Sequence, residues 1–168
     1  MKYIRIVLLI VLTILITACN KELTDGLKFK KEYEKYNNEK IELNISEKNI
    51  IEYKTIEEIN NIVKNKSGVI FIGTPKDNKS RISIKLLLDA SESTDLQEIY
   101  YIDNIKNIKI ENIDKSTVPI VLFISEGKVV DKYTVKKEEL TEDEEIDLYN
   151  NYLEGIHKVL QDTCDEEC

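Results

Sequence analysis

The most reactive side chains in this sequence are two thiols close to its C-terminal end. Cys164 and Cys168 are separated by three residues in the stretch Asp-Thr-Cys-Asp-Glu-Glu-Cys. The carboxylates around them disfavour the thiolate, so we expect raised thiol pKa values and slow nucleophilic attack. The pair could form a small disulfide if this tail is not helical, form mixed disulfides with a partner, bind a metal, or have no role. No second cysteine pair accompanies them and His157 stands alone, so no metal site is expected.

A second polar cluster lies in Gly-Thr-Pro-Lys-Asp-Asn-Lys-Ser-Arg, residues 73–81. The apolar run at 69–72 before it is typical of a central strand, and the apolar spacing after it predicts a helix that begins near Ser80. Asp77 and Ser80 are good helix caps, so these residues favour a capping turn. There are two alternatives. Asp77 could act as an acid, a base or a metal ligand, or the turn could help to bind a peptide. The first lacks a histidine or second carboxylate nearby in sequence.

Residues 1–18 form a segment unlike the rest of the chain. Lys2 and Arg5 precede the unbroken run Ile-Val-Leu-Leu-Ile-Val-Leu-Thr-Ile-Leu-Ile-Thr-Ala, and Cys19 follows at once. This order predicts a secretory signal peptide, too short for a comfortable membrane span. The Ile-Thr-Ala-Cys at 16–19 resembles the lipobox of bacterial lipoproteins, in which the cysteine becomes the mature N-terminus and carries lipid. An ordinary secreted protein with an incidental cysteine is the alternative.

The lipobox resemblance implies a chain anchored at the extracytoplasmic face of the bacterial membrane. Two acyl chains suffice for stable anchoring, and disulfides persist in that compartment. Residues 19–26 would then be a lipidated tether. Removal of residues 1–18 takes away two positive charges and no negative one, which changes the formal charge from −8 to −10. An acidic domain is repelled by an anionic leaflet, and the absence of a basic cluster argues against nucleic acid as a partner.

The remaining sequence predicts alternating helices and strands, followed by a hairpin and a long acidic helix. Thr55 and Glu58 form a capping-box pattern, and Glu126-Gly127 is a hairpin signal. Residues 105–116 fit neither the helical nor the strand period. The predicted helices are 27–38, 55–66, one from about 80, and 136–160; the predicted strands are 40–45, 49–53, 69–72, 97–104 and two within 117–135. This order indicates a small α/β sandwich with a mixed sheet.

Two motifs resemble those of the thioredoxin family. Thr-Val-Pro at 117–119, before Ile-Val-Leu-Phe, is similar to the tripeptide before the third core strand of thioredoxins, where the proline is cis and faces the active-site turn. Gly-Lys-Val-Val at 127–130 resembles the hairpin that follows. Residues 68–90 resemble the strand, turn and second helix of bacterial relatives whose turn reads Gly-x-Pro-x-Cys-x-x-Cys-Arg. Gly73, Pro75 and Arg81 match that pattern, whereas Asp77 and Ser80 occupy the two cysteine positions.

The resemblance covers residues 50–160 and implies a thioredoxin-like three-layer sandwich with a mixed four- to five-stranded sheet. An N-terminal helix and strand at 27–49 would precede it, and a cysteine-containing acidic tail at 161–168 would follow. Thiol-disulfide exchange needs a thiolate and a second sulfur, which excludes that reaction at Asp77 and Ser80. In this family the loop before the cis-proline pairs with a substrate backbone, so the groove formed by Thr117, Val118 and Pro119 could hold an extended peptide.

We therefore expect a membrane-anchored thioredoxin-like lipoprotein that is not an enzyme and binds a peptide or protein partner outside the cytoplasm. No cofactor is expected beyond the covalent lipid on Cys19. The alternative is a thiol-disulfide oxidoreductase accessory, active in cell redox homeostasis through Cys164 and Cys168. The last helix would run about 30 Å away from the active-site turn. The eight residues after Leu160 reach at most about 26–29 Å when fully extended, which is too short for the thiols to return to the turn. We therefore expect Cys164 and Cys168 to act only on another molecule. A lineage-specific lipoprotein that keeps the fold as a bare scaffold is a third possibility.

Overall fold

The computed structural model describes residues 23–39, 41–103 and 118–165, with side chains up to residue 161. These ranges contain four helices and five strands. The helices are α1 (Asp25–Glu34), α2 (Ile56–Asn65), α3 (Asn78–Ser91) and α4 (Glu142–Asp165), and the strands are β1 (Ile51–Tyr53), β2 (Gly68–Gly73), β3 (Ile99–Asp103), β4 (Ile120–Ser125) and β5 (Lys128–Thr134). None of the helices in these ranges is long and apolar enough to cross a membrane.

The five strands form one mixed sheet in the order β1-β3-β2-β4-β5. β3 is parallel to both β1 and β2, whereas β4 is antiparallel to β2 and to β5. The sequential unit β1-α2-β2-α3-β3 followed by the β4-β5 hairpin and α4 is a thioredoxin-like α/β sandwich. The predicted fold class is therefore confirmed.

The two faces of the sheet bury separate clusters of side chains. Helices α1, α3 and α4 cover the face that carries Phe71, Tyr101 and Phe123, and α2 covers the other face through Ile59 and Ile62. Adjacent residues of β2 point to opposite faces, which explains why its run of apolar residues is continuous rather than alternating. The described part of the chain thus has three layers. Helices α1, α3 and α4 form the first, the sheet forms the second and α2 forms the third.

Two local signals in the sequence fix ends of elements as expected. The Thr55 hydroxyl accepts a hydrogen bond from the Glu58 backbone N–H, and the Glu58 carboxylate accepts one from the Thr55 N–H, which forms the predicted capping box of α2. At the hairpin, Glu126 and Gly127 have φ angles of 47° and 71°. Positive φ at both positions is the geometry of the tight two-residue turn that joins antiparallel strands.

The predicted bounds of the last helix, 136–160, are wrong at both ends. The Thr141 hydroxyl accepts from the Glu144 N–H, and the Glu144 carboxylate accepts from the Thr141 N–H. This second capping box starts α4 at Glu142, so residues 136–141 stay outside the helix. At the other end the helix continues to Asp165, five residues beyond Leu160.

The predicted strand at 40–45 is also wrong, although the predicted alternation of burial is present. Residue 40 is outside the described ranges, and residues 41–45 pair with no strand. Leu43 and Ile45 are buried, whereas Glu42 and Asn44 are exposed. The segment is extended. It lies against side chains of α1 and of Asn37, which follows α1. The unassigned residues 105–116 lie outside the described ranges.

Candidate functional site

The candidate site lies at the edge of the sheet where β2 and β3 end and β4 begins. Gly73 pairs with Asp103 at the ends of the parallel strands β2 and β3, and Ile72 pairs with Ile120 at the start of β4. The turn after Gly73, the residues just before Ile120 and Asp103 therefore meet at one edge. Carboxyl ends of parallel strands at a change in strand order are a common location for binding sites. The peptide bond before Pro119 is cis, as the family resemblance implies.

Asp77 caps helix α3, which confirms the capping prediction for the turn. One oxygen of its carboxylate accepts from the Ser80 backbone N–H at 2.9 Å and from the Ser80 hydroxyl at 2.8 Å. Ser80 is fully buried, and its hydroxyl also accepts from the Thr74 N–H at 3.2 Å. The Asp77 carboxylate is thus engaged in holding the turn, which argues against a role for it as an acid, base or metal ligand.

Arg81 stabilises the same turn from inside the protein. Arg81 is only 2% exposed, and its guanidinium donates to the Pro75 carbonyl at 3.1 Å and also to the side chain of Asn78. Among the residues that the structure describes, the guanidinium Nε has no hydrogen-bond partner. The family resemblance indicated that Arg81 matches the arginine of the turn motif. It did not predict that Arg81 stabilises the turn from inside the protein. Its bonds to Pro75 and Asn78 explain why a long cation at that position suits the turn.

A group of tyrosines links helix α1 to the turn, a contact that the sequence pattern did not predict. The Tyr33 hydroxyl donates to the Tyr101 hydroxyl at 3.4 Å, and the Tyr101 hydroxyl donates to the Gly73 carbonyl at 3.4 Å. Burial raises the pKa of Tyr33 and of Tyr101, so both phenols stay protonated as donors. The signal in the sequence that could have indicated this contact is the helical spacing of Phe29, Tyr33 and Tyr36 within the predicted helix 27–38, which favours one shared face.

Asp103 is the titratable group beside this chain of hydroxyls. Partial burial raises the pKa of its carboxyl, and the nearby charge of Glu32 raises it further, while hydrogen bonds to Thr74 and Tyr101 act in the opposite direction. Asp103 is a carboxyl without a thiol or imidazole beside it in the described part of the chain. Among those residues, no group of three or more His, Cys, Asp or Glu side chains is placed to hold a metal.

The backbone of Cys164 is not brought to this edge of the sheet. Lys79 of α3 lies 3.9 Å from Glu138, which places the chain just before α4 near the turn. Cys164 lies 22 residues after the start of α4, a distance of about 33 Å along the helix axis. Its backbone is helical, so the condition under which a disulfide was expected, a tail that is not helical, does not hold at 161–165. His157 is exposed on α4.

Three predicted positions cannot be placed in the site. Cys19, Thr117 and Cys168 lie outside the described residues, as does the side chain of Cys164. Among the groove residues, Val118 is half-buried and Pro119 is buried. No protein-family model matches the chain, and a search of curated proteins finds none similar to it. The function proposed below therefore follows from the fold and from the geometry of this edge.

Proposed function

We propose that this chain is a membrane-anchored extracytoplasmic lipoprotein that uses a thioredoxin-like domain to bind a peptide or protein partner without thiol chemistry. The observation that carries the proposal is the contact between Asp77 and Ser80. Their side chains bond to each other at 2.8 Å at the start of α3, at the two positions that match cysteines in the resemblance. A carboxylate and a hydroxyl there stabilise the turn but cannot exchange disulfides.

Peptide binding is supported by the backbone of Val118. Val118 makes no hydrogen bond with any part of the chain that the structure describes. It precedes the cis peptide bond to Pro119 and is half-buried beside the start of β4. An extended ligand could pair with its N–H and C=O, which is the way strand addition gives affinity without a reactive group.

Membrane anchoring is supported by the lipobox resemblance at 16–19, and the way the chain enters the domain limits how far the domain would stand from the membrane. The Thr24 hydroxyl caps α1, and the Asp25 carboxylate accepts from the Tyr53 N–H at 3.0 Å, so the helix is docked on β1 from its first residue. Five residue steps separate Thr24 from Cys19, a reach of at most about 18 Å. A lipid on Cys19 would hold the domain close to the bilayer.

A site-specific photocrosslinker tests the partner site. A benzophenone side chain in place of Val118 is expected to give adducts with envelope proteins or peptides in living cells. Val130 provides the matched control because it is an exposed valine on the edge strand β5. Equal adduct patterns from both positions, or none from position 118 in a folded protein, would contradict binding beside Pro119.

Thiol trapping tests the absence of redox chemistry and separates the alternative. The wild-type protein is expected to show no reductase activity toward insulin and no mixed disulfides. If the Cys168→Ser variant accumulates mixed disulfides with envelope proteins while the wild type turns over, the chain acts through Cys164 and the binding proposal fails.

Fractionation tests the anchor independently. The Cys19→Ala variant is expected to lose incorporation of labelled palmitate and to leave the membrane fraction. Retention of both label and membrane association in this variant would rule out lipid at Cys19.

A further inference from the structure

The extended segment at 41–46 offers one hydrogen-bonding edge to the protein and leaves the other edge open. The side-chain amide of Asn37 donates to the Leu43 carbonyl at 2.8 Å and accepts from the Leu43 N–H at 3.0 Å. Glu34 accepts from the Ile45 N–H at 2.8 Å, and Lys30 donates to the Ile45 carbonyl. These side chains hold the segment as a neighbouring strand would.

On the other edge of the segment, the described contacts leave residues 42–44 open, whereas the Ser46 carbonyl accepts from the Asn49 N–H. Neighbouring residues of an extended chain direct their N–H and C=O groups to opposite sides. Glu42 and Asn44, which alternate with the bonded residues, make no backbone hydrogen bond with the described chain. The segment therefore presents an open, pre-ordered edge, and edges of this kind accept a further strand.

A pocket lies beside Asn44, where the segment faces the C-terminal half of α3. Its apolar lining includes Leu43, Ile45 and Leu88, and its polar rim includes Lys85, Asp89 and Glu92. Its volume is about 140 Å³. That is far below the about 300–1,000 Å³ of sites for cofactors or drug-sized ligands. The pocket has room for one aliphatic side chain.

The charges around Asp89 favour a basic group at the rim. Partial burial raises the pKa of the Asp89 carboxyl, Glu92 and Glu145 raise it further, and Lys85 opposes them. Asp89, Glu92, Lys85 and Lys48, which also lines the pocket, form no ion pair with described residues. A cation at Asp89 would add to the stabilisation that Lys85 gives this carboxylate among the described residues.

We propose that residues 42–44 and this pocket bind an extended peptide in which an aliphatic residue is adjacent to a basic one. The peptide backbone pairs with Asn44, the aliphatic side chain enters the pocket and the basic side chain lies against Asp89. Leu88 is ten residues along α3 from Asn78, about 15 Å from the turn, so this is a second site separate from the groove beside Pro119. It does not depend on the function proposed for that groove.

Fluorescence anisotropy with the full chain and a labelled peptide Thr-Lys-Leu-Thr tests the proposal. Two peptides, Thr-Glu-Leu-Thr and Thr-Lys-Gly-Thr, serve as ligand controls and are expected to bind more weakly. Asn44→Pro removes one backbone donor in a segment that is already extended and should weaken binding about fivefold. Asn44→Ala keeps that donor and should bind like the wild type. Asp89→Asn should reduce the preference for the lysine peptide over the glutamate peptide.

Several results would overturn this site. They are the absence of peptide binding, equal affinity for all three peptides, or equal effects of Asn44→Pro and Asn44→Ala in folded proteins. Displacement of the peptide by free leucine at equal concentration would assign the pocket to a small zwitterion instead. Loss of crosslinking at Val118 would not affect these outcomes, because the two sites share no residue.

Discussion

Removal of the Asp77 carboxylate tests whether this side chain stabilises the turn at the start of α3. In the folded protein one carboxylate oxygen accepts from both the backbone N–H and the hydroxyl of the fully buried Ser80. Asp77→Ala removes an N-cap, which costs about 1 kcal/mol. It also leaves a buried hydroxyl without its acceptor, which costs about 1–3 kcal/mol unless the hydroxyl rotates to another one. We expect a total loss of about 2–3 kcal/mol in the free energy of unfolding.

Asp77→Asn is the matched control, because the amide oxygen keeps the acceptor and removes only the charge. It is expected to cost less than about 1 kcal/mol. Urea unfolding of the purified protein measures both variants. A double-mutant cycle with Ser80→Ala isolates the contact, and a coupling energy of about 1 kcal/mol is expected for side chains that bond directly. Thr55→Ala, at the exposed N-cap of α2, gives the cost of a cap without the buried hydroxyl.

One pattern of results would refute this reasoning. If Asp77→Ala and Asp77→Asn had equal effects and showed no coupling to Ser80, the hydrogen bonds at the turn would not stabilise the fold. The carboxylate would then have to be explained by contact with a ligand, and the binding assays at this edge of the sheet would be repeated with Asp77→Asn.

Three further perturbations probe the same architecture. Cysteines in place of both Asp77 and Ser80, in a protein whose tail cysteines are serine, should form a reversible disulfide by thiol titration, because the two side chains already touch at a helix N-terminus. Gly155→Ala should lower stability by about 1 kcal/mol in chemical denaturation despite better helix propensity, because the added Cβ would lie 2.7 Å from the ring of Phe123. Asp103→Asn should be more stable than the wild type at pH 7 and similar to it near pH 3 in thermal melts. The reason is that the pKa of the Asp103 carboxyl is higher in the folded protein than in the unfolded chain. The wild-type protein therefore loses stability as the pH rises through the folded-state pKa.

The sequence predicted those elements whose signals are local. A capping residue and its partner three positions later are neighbours in any helix, which is why Thr55 and Asp77 were placed correctly. The hairpin turn at Glu126-Gly127 was found for the same reason. The same rule applied at Thr141 would have started the last helix correctly, but the acidic run from 138 onwards suggested an earlier start.

What lies beside a segment was not readable from the chain. The alternation at 40–45 correctly indicated that Leu43 and Ile45 are buried, but an alternating pattern does not tell whether the neighbour is a strand. Here the neighbours are the side chains of α1 and Asn37. They take the place of a neighbouring strand because α1 lies over the β1 and β3 part of the sheet, beside the segment. The open edge at Asn44 follows from this arrangement and from nothing local.

The sequence by itself therefore determined the order of the described elements from Ile51 onwards, the turn at 73–81 and the absence of thiols from that turn, since each depends on residues close together in the chain. Only the tertiary structure decided that Arg81 supports the turn from a buried position and that Tyr101 joins α1 to Gly73. The bonds from Tyr33 to Tyr101 and from Tyr101 to Gly73 connect residues distant in sequence, and the burial of Arg81 depends on the elements packed around it. Both are fixed by sheet register and helix packing rather than by any local preference.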